Sequence, residues 1–204
     1  MAARSKHPEG RRNLVLIGGR GCGKTSISKR VSLANRGFML FSIDALIRYE
    51  ADGATIPDIV DDRGWDGFRQ LEYEVLEKIT QINSGLLLDC GGGIVVDLDD
   101  DGEEIYSERK VERLRADGFV IYLSRDHEYL ASRIAGDKNR PDLSESKSFL
   151  EIMARREPWY REAAHYVLEC DGLTKGEIAM KVLKTFYREI GHDLKKIKLK
   201  PIDA

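Results

Sequence analysis

Cysteine is scarce in this chain, with Cys22, Cys90 and Cys170 its only three in 204 residues. Their odd number and irregular spacing exclude a disulfide framework or a cysteine-built metal site and fit a reducing compartment. The four histidines, His7, His127, His165 and His192, are scattered and supply no metal partner. No apolar run approaches the ~20 residues of a membrane span, and the N-terminus lacks the apolar core of a signal peptide. Lys and Arg total 33 against 35 for Asp and Glu, and the net charge of −2 leaves no basic field to recruit nucleic acid. Internal repeats and dividing linkers are missing too. These absences leave one cytoplasmic domain, expected as a monomer without membrane or nucleic-acid partners, and long enough to bury a core.

What the chain does have is a strand–helix rhythm. Residues 1–12 carry Arg4, Lys6, Arg11 and Arg12 without an apolar period and read as a loose tail; residues 191–204 read as a basic one. Between them, short apolar runs stand at Asn13 to Ile17, Phe38 to Phe41, Leu86 to Cys90, Phe119 to Leu123 and His165 to Cys170. Helical patterns alternate with these runs, which predicts an α/β domain over 13–190 with a parallel sheet covered on both faces.

The first run leads into Gly18-Gly19-Arg20-Gly21-Cys22-Gly23-Lys24-Thr25, and a helix continues from Ser26 to Arg36, where Gly37 is expected to end it. Strand, glycine loop and helix in that order complete the Walker A pattern. Backbone N–H groups of such a loop turn inward on a phosphate, and the helix N-terminus adds its positive end. Lys24 is placed to reach the β- and γ-phosphates and the Thr25 hydroxyl to ligate Mg²⁺. The chain is therefore expected to bind a nucleoside triphosphate. Cys22 has two readings, a redox-sensitive thiol or a small residue that a tight loop tolerates, and the second is the simpler.

Ligands of doubly wound sheets collect at the carboxyl ends of the strands. Asp44 stands just past the second strand, and Gly91-Gly92-Gly93 follows the third, where bare backbone permits close approach. Between them, Gly64 to Glu72 opens a long amphipathic helix. Arg69 and Glu72 on it share a face, and taken alone they read as a surface ion pair.

These motifs in this order resemble the shikimate kinase family, within the nucleoside-monophosphate-kinase-like group of P-loop proteins. The resemblance spans roughly 13 to 190. It rests on the Gly18 to Thr25 loop, Asp44 with Ile47, Phe68-Arg69 with Glu72, Gly91-Gly92-Gly93, Arg133, Arg140-Pro141 and Arg156-Glu157-Pro158-Trp159-Tyr160. It implies a three-layer sandwich whose five-stranded parallel sheet is flanked by helices, with a mobile lid at about 136–146. It also implies MgATP-dependent phosphorylation of the 3-hydroxyl of shikimate. ATP would lie on Gly19, Arg20, Gly21, Cys22, Gly23, Lys24, Thr25 and Ser26, with Arg133 on the adenine and Arg140 as the lid arginine. Shikimate would meet Asp44, Arg69, Glu72, Gly91, Gly92, Gly93 and Arg156. Arg69 and Arg156 would clamp its carboxylate, a task suited to planar guanidinium forks. Glu72 would brace Arg69, and Asp44 would orient or deprotonate the attacking hydroxyl. Lys24, Mg²⁺ and Arg140 would offset the charge of transfer.

Three features depart from the family's pattern. Ser42 replaces the first of two aspartates that usually flank one residue after the second strand, and that aspartate serves the metal. Asp142 follows Arg140-Pro141 where leucine is common. An insertion, 97–108, satisfies the spacing of an EF-hand calcium loop, but Ile94-Val95-Val96 and Ile105-Tyr106 around an Asp-Gly turn read as hairpin arms. Leu86-Leu87-Leu88-Asp89 has the form of a Walker B strand, which makes Asp89 the expected Mg²⁺-side carboxylate in place of Ser42; the alternative is that Asp89 pairs with a basic residue or caps a helix nearby. Ser42 also motivates a rival reading, a non-catalytic binding protein. A kinase of another polyol acid such as gluconate is a third.

Overall fold

The structure is a computed structural model that describes residues 13–82, 85–135 and 147–192. The expected N-terminal tail, the lid with Arg140 and Asp142, and residues 193–204 of the basic tail lie outside the described residues. The described strands are β1 (Asn13–Ile17), β2 (Met39–Ser42), β3 (Leu86–Asp89), β4 (Val96–Leu98), β5 (Glu104–Tyr106), β6 (Gly118–Ser124) and β7 (Tyr166–Glu169). The helices are α1 (Lys24–Ala34), α2 (Ile43–Glu50), α3 (Ile56–Ile79), α4 (Glu108–Ala116), α5 (His127–Ile134), α6 (Phe149–Ala163) and α7 (Lys175–Glu189).

Five strands pair in parallel in the order β2-β3-β1-β6-β7. The three central ones, β3, β1 and β6, are buried throughout, as continuously apolar runs covered by helices on both faces must be. Each expected strand is present, with ends shifted by at most one residue. The order reverses at β1, so the carboxyl ends of β1 and β3 open the crevice in which such sheets hold ligands.

Two helix boundaries are corrected. Helix α1 starts on Lys24 and stops at Ala34, where extended Asn35 caps it, short of Arg36 and Gly37. Helix α3 begins eight residues before Gly64, capped by a reciprocal Thr55–Asp58 box. At Gly64 the backbone turns to φ 70°, ψ 173°, a conformation open to glycine and strained for other residues. The kink restarts the helix at Trp65, and its next turns bury Phe68, Arg69 and Glu72.

The insertion forms the antiparallel hairpin β4–β5. Asp99 Oδ1 accepts the amides of Asp101 (3.1 Å) and Glu103 (2.8 Å), which closes the turn. Asp97 accepts from Ser107 Oγ at 2.7 Å and from Arg109 Nε at 2.8 Å; despite partial burial, these bonds and nearby Lys110 hold its carboxyl at about 2. The positions that would open a calcium loop are thus engaged by the hairpin and by α4. Among the described residues no helix is long and apolar enough to cross a membrane.

Candidate active site

The glycine loop joins β1 to α1, and Lys24, at the first turn of the helix, folds back over it. Its Nζ donates to the carbonyls of Gly18 (2.7 Å) and Gly19 (3.1 Å) and lies 3.7 Å from Cys22 Sγ. Burial works against the ammonium, but Cys22, Tyr160 and the carboxylates of Asp89 and Asp44 raise its pKa above the ordinary lysine value. Lys24 is therefore charged. Cys22 itself is buried, which fits its reading as a small loop residue. A cavity of about 690 Å³ lies over the loop, lined by Arg20, Lys24, Thr25, Ser26, Asp89 and Arg133 among others.

Beside it lies a second, smaller cavity that is partly open to solvent. Arg69, Glu72 and Arg156 line it, with Trp65, Phe68 and the three glycines 91–93. Arg69 is buried and donates from Nη1 to Glu72 at 3.0 Å. Its guanidinium carbon lies 5.2 Å from the Trp65 ring centre and 5.3 Å from that of Phe68, so aromatic faces share its charge. Among the described residues its Nε has no hydrogen-bond partner. A Cβ at Gly93 would stand 2.6 Å from that guanidinium carbon, so any side chain there would displace the Arg69 guanidinium. The two cavities share Arg20, Asp44, Gly91 and Gly92 in their walls, so Asp44 faces both.

Ser42 and Asp89 are register partners on neighbouring parallel strands. Ser42 Oγ accepts the Ala45 amide at 3.4 Å and caps α2, which puts Asp44 in that helix's first turn.

The family follows from this geometry together with similarity. Over residues 20–187 the chain matches the shikimate kinase family model. A shikimate kinase of Leptospira biflexa serovar Patoc is 44% identical over 171 residues, 84% of this chain and 93% of the relative. One of Leptospira borgpetersenii serovar Hardjo-bovis is 39% identical over 175 residues, 85% and 97% of the two chains. Among solved structures, the shikimate kinase from Acinetobacter baumannii in complex with shikimate has a TM-score of 0.74 at 30% identity, covering 89% of this chain and 96% of that one. The chain belongs to the shikimate kinase family.

Within this shikimate kinase fold the expected site residues line the two adjoining cavities, except Gly19 and Cys22, while Arg140 lies outside the described residues. The Arg69–Glu72 pair lies in the interior and is not the surface ion pair that its spacing alone suggests. Several neighbours escaped the sequence reading. Lys110, 0% exposed, donates to Glu72 at 2.9 Å and to the carbonyl of Val96, and lies 3.3 Å from Asp97. Burial opposes the Glu72 carboxylate, yet Lys110 and Arg69 outweigh it and hold the carboxyl below the ordinary glutamate value. Burial in turn lowers the Lys110 pKa. Tyr160 donates to the carbonyl of Gly92, which anchors the glycine turn to α6. Lys110 had one signal in the sequence, since it stands four residues before Leu114 and so shares its helix face.

Proposed function

We propose that this chain transfers the γ-phosphoryl group of ATP to the 3-hydroxyl of shikimate, releasing ADP and shikimate 3-phosphate. The observation that carries the reading is the junction of the two cavities at Asp44. A triphosphate on the glycine loop and a small carboxylate between Arg69 and Arg156 would meet there. Lys24 would release the loop carbonyls for phosphate oxygens, and Arg133 would face the base. Asp44 would accept a hydrogen bond from the attacking hydroxyl and take its proton as transfer proceeds. The reaction as proposed requires no residue of a second subunit, and we place it in a monomer in the cytoplasm.

Mg²⁺ suits the residues present. Thr25, Ser42, Asp44 and Asp89 offer oxygen donors to the nucleotide-side cavity, which Arg20, Lys24 and Arg133 also line, and this hard cation is usually held by one or two carboxylates plus phosphates and waters. Bound there, it would offset charge on the phosphate oxygens during transfer. Asp89 would supply the metal-side carboxylate. Its neighbour Ser42 is about 4.8 Å away across the parallel pair, so a carboxylate on either strand reaches much the same space. Asp89→Asn keeps the shape and removes the charge. Half-maximal activity is expected to need several-fold more Mg²⁺, with shikimate KM little changed; an unchanged Mg²⁺ dependence would remove Asp89 from this role.

The function is tested by ADP release. Purified protein with MgATP is expected to turn over slowly until shikimate is added. Stimulation by gluconate and not by shikimate would transfer the assignment, and binding without turnover would leave a non-catalytic protein. For the clamp, Arg69→Ala and Arg156→Ala are each expected to raise shikimate KM about 10- to 100-fold, the value of one charge-assisted hydrogen bond. ATP KM is expected to hold. Parallel losses for both substrates would point to damage of the fold.

A further inference from the structure

Glu104, on the outgoing arm of the acidic hairpin, has a side chain only 9% exposed although it belongs to a strongly charged surface segment. Both of its oxygens face arginine. Oε2 accepts from Arg156 Nε at 3.0 Å and from Arg155 Nη2 at 2.9 Å, and Oε1 accepts from Arg156 Nη2. The carboxylate thus grips the Arg156 guanidinium through two parallel bonds along one edge, the strongest and most directional form of this pair. The third nitrogen, Nη1, lies 3.4 Å from the carbonyl of Gly92, in the turn that walls the substrate-side cavity. Arg156 lines that cavity. Glu104 does not; it lines a separate hollow of about 430 Å³ with Trp65, Lys147 and Arg155.

We propose that Glu104 is a positioning residue for the phosphoryl transfer: it holds the Arg156 fork from the side away from the substrate, so that the opposite edge meets the substrate carboxylate. The inference rests on the assignment of Arg156 to that carboxylate. The side chain of Arg156 is 2% exposed, and a buried cation left without a counter-charge is costly and free to change rotamer. Glu104 removes both problems, and among the described residues no carboxylate bonds Nη1, whose contact is the Gly92 carbonyl. Its neighbour Glu103 plays a different part. Glu103 pairs with Lys147 and with Arg155 (3.1 Å) while its own side chain is 57% exposed, so it docks the hairpin tip with bonds that solvent weakens. The insertion therefore adds a wall behind one arm of the clamp.

The test compares steady-state constants for both substrates in Glu104→Ala, Glu104→Gln, Glu103→Ala, Arg156→Ala and the double variant Glu104→Ala/Arg156→Ala. Glu104→Ala is expected to raise shikimate KM about 10-fold, within the range measured for coupled neighbours. Its kcat and ATP KM should stay within about 2-fold of the parent. Glu104→Gln keeps one acceptor for Nε and is expected to recover part of the loss; it also serves if the alanine variant fails to fold. Glu103→Ala is expected to leave shikimate KM unchanged. In the double variant the loss should be no greater than in Arg156→Ala, because the residue being positioned is gone. A shikimate KM that is unchanged or lower in both Glu104 variants would overturn the proposal, the latter by showing that Glu104 occupies the site as a competitor. An equal rise in Glu103→Ala, or additive losses in the double variant, would do so too. If Arg156→Ala alone leaves shikimate KM intact, the carboxylate assignment itself falls, an outcome separate from a silent Glu104.

Discussion

Lys110→Met is expected to destabilise the protein by about 3 kcal/mol or more, the range in which one partner of a buried ion pair is removed and the other is left behind. The partner left behind is Glu72, whose carboxylate is as buried as the ammonium and accepts from both Lys110 and Arg69. Arg69 alone would then compensate Glu72, and the Val96 carbonyl would lose its donor. The midpoint of urea unfolding at neutral pH measures the loss, and a change below about 1 kcal/mol would mean that the chain of charges contributes little. The double variant Glu72→Gln/Lys110→Met should recover part of the stability, since it removes both charges together. The lowered carboxyl of Glu72 adds a sign that can be checked. A carboxyl depressed on folding contributes stability that is present above its unfolded value and lost as pH falls through its folded one. The parent should therefore lose this contribution below about pH 4, and Glu72→Gln should lack that part of the acid limb.

Which features were legible in the sequence depends on how local their causes are. The buried strands announce themselves because three or more consecutive apolar residues need no partner to be read, and the glycine loop because its spacing is its chemistry. The hairpin was legible from its Asp-Gly turn. The first half of α3 was missed, although Thr55, Pro57 and Asp58 make an N-terminus, because Asp61, Asp62 and Arg63 interrupt its apolar period before Gly64. Lys110 and Glu104 were missed for another reason. Their partners Glu72 and Arg156 stand 38 and 52 residues away, so only the fold brings them together. A run of acids such as 99–104 is normally a solvated turn, and nothing local separates Glu104, turned inward, from Glu103, turned outward. Ser42 shows the converse. As a sequence departure it reads as a lost metal ligand, whereas in the structure it caps the helix that carries Asp44 and stands beside Asp89.

Asp44→Asn is expected to lower kcat by about 10²- to 10⁴-fold, the contribution of a positioned general base. Shikimate KM is expected to change far less. The argument begins with place. Asp44 lies in the first turn of α2, set there by the Ser42 cap, and its side chain faces both the loop cavity and the clamp cavity. A group bound only by the clamp would not need to face the phosphates, and a metal ligand alone would not need to face the clamp. A base that receives the proton of the attacking hydroxyl must face both. Asparagine has nearly the same shape and keeps one acceptor oxygen, so it can still hold a hydroxyl by a hydrogen bond. It cannot take the proton. The split between kcat and KM therefore separates proton transfer from binding. The pH dependence of kcat adds an independent reading, because the acid limb that belongs to an essential base should vanish in the variant. If Asp44→Asn retains kcat within about 10-fold of the parent, Asp44 orients the hydroxyl and another acceptor takes the proton. If shikimate KM rises about 100-fold while kcat holds, Asp44 belongs to recognition and the junction of the cavities has lost its chemistry.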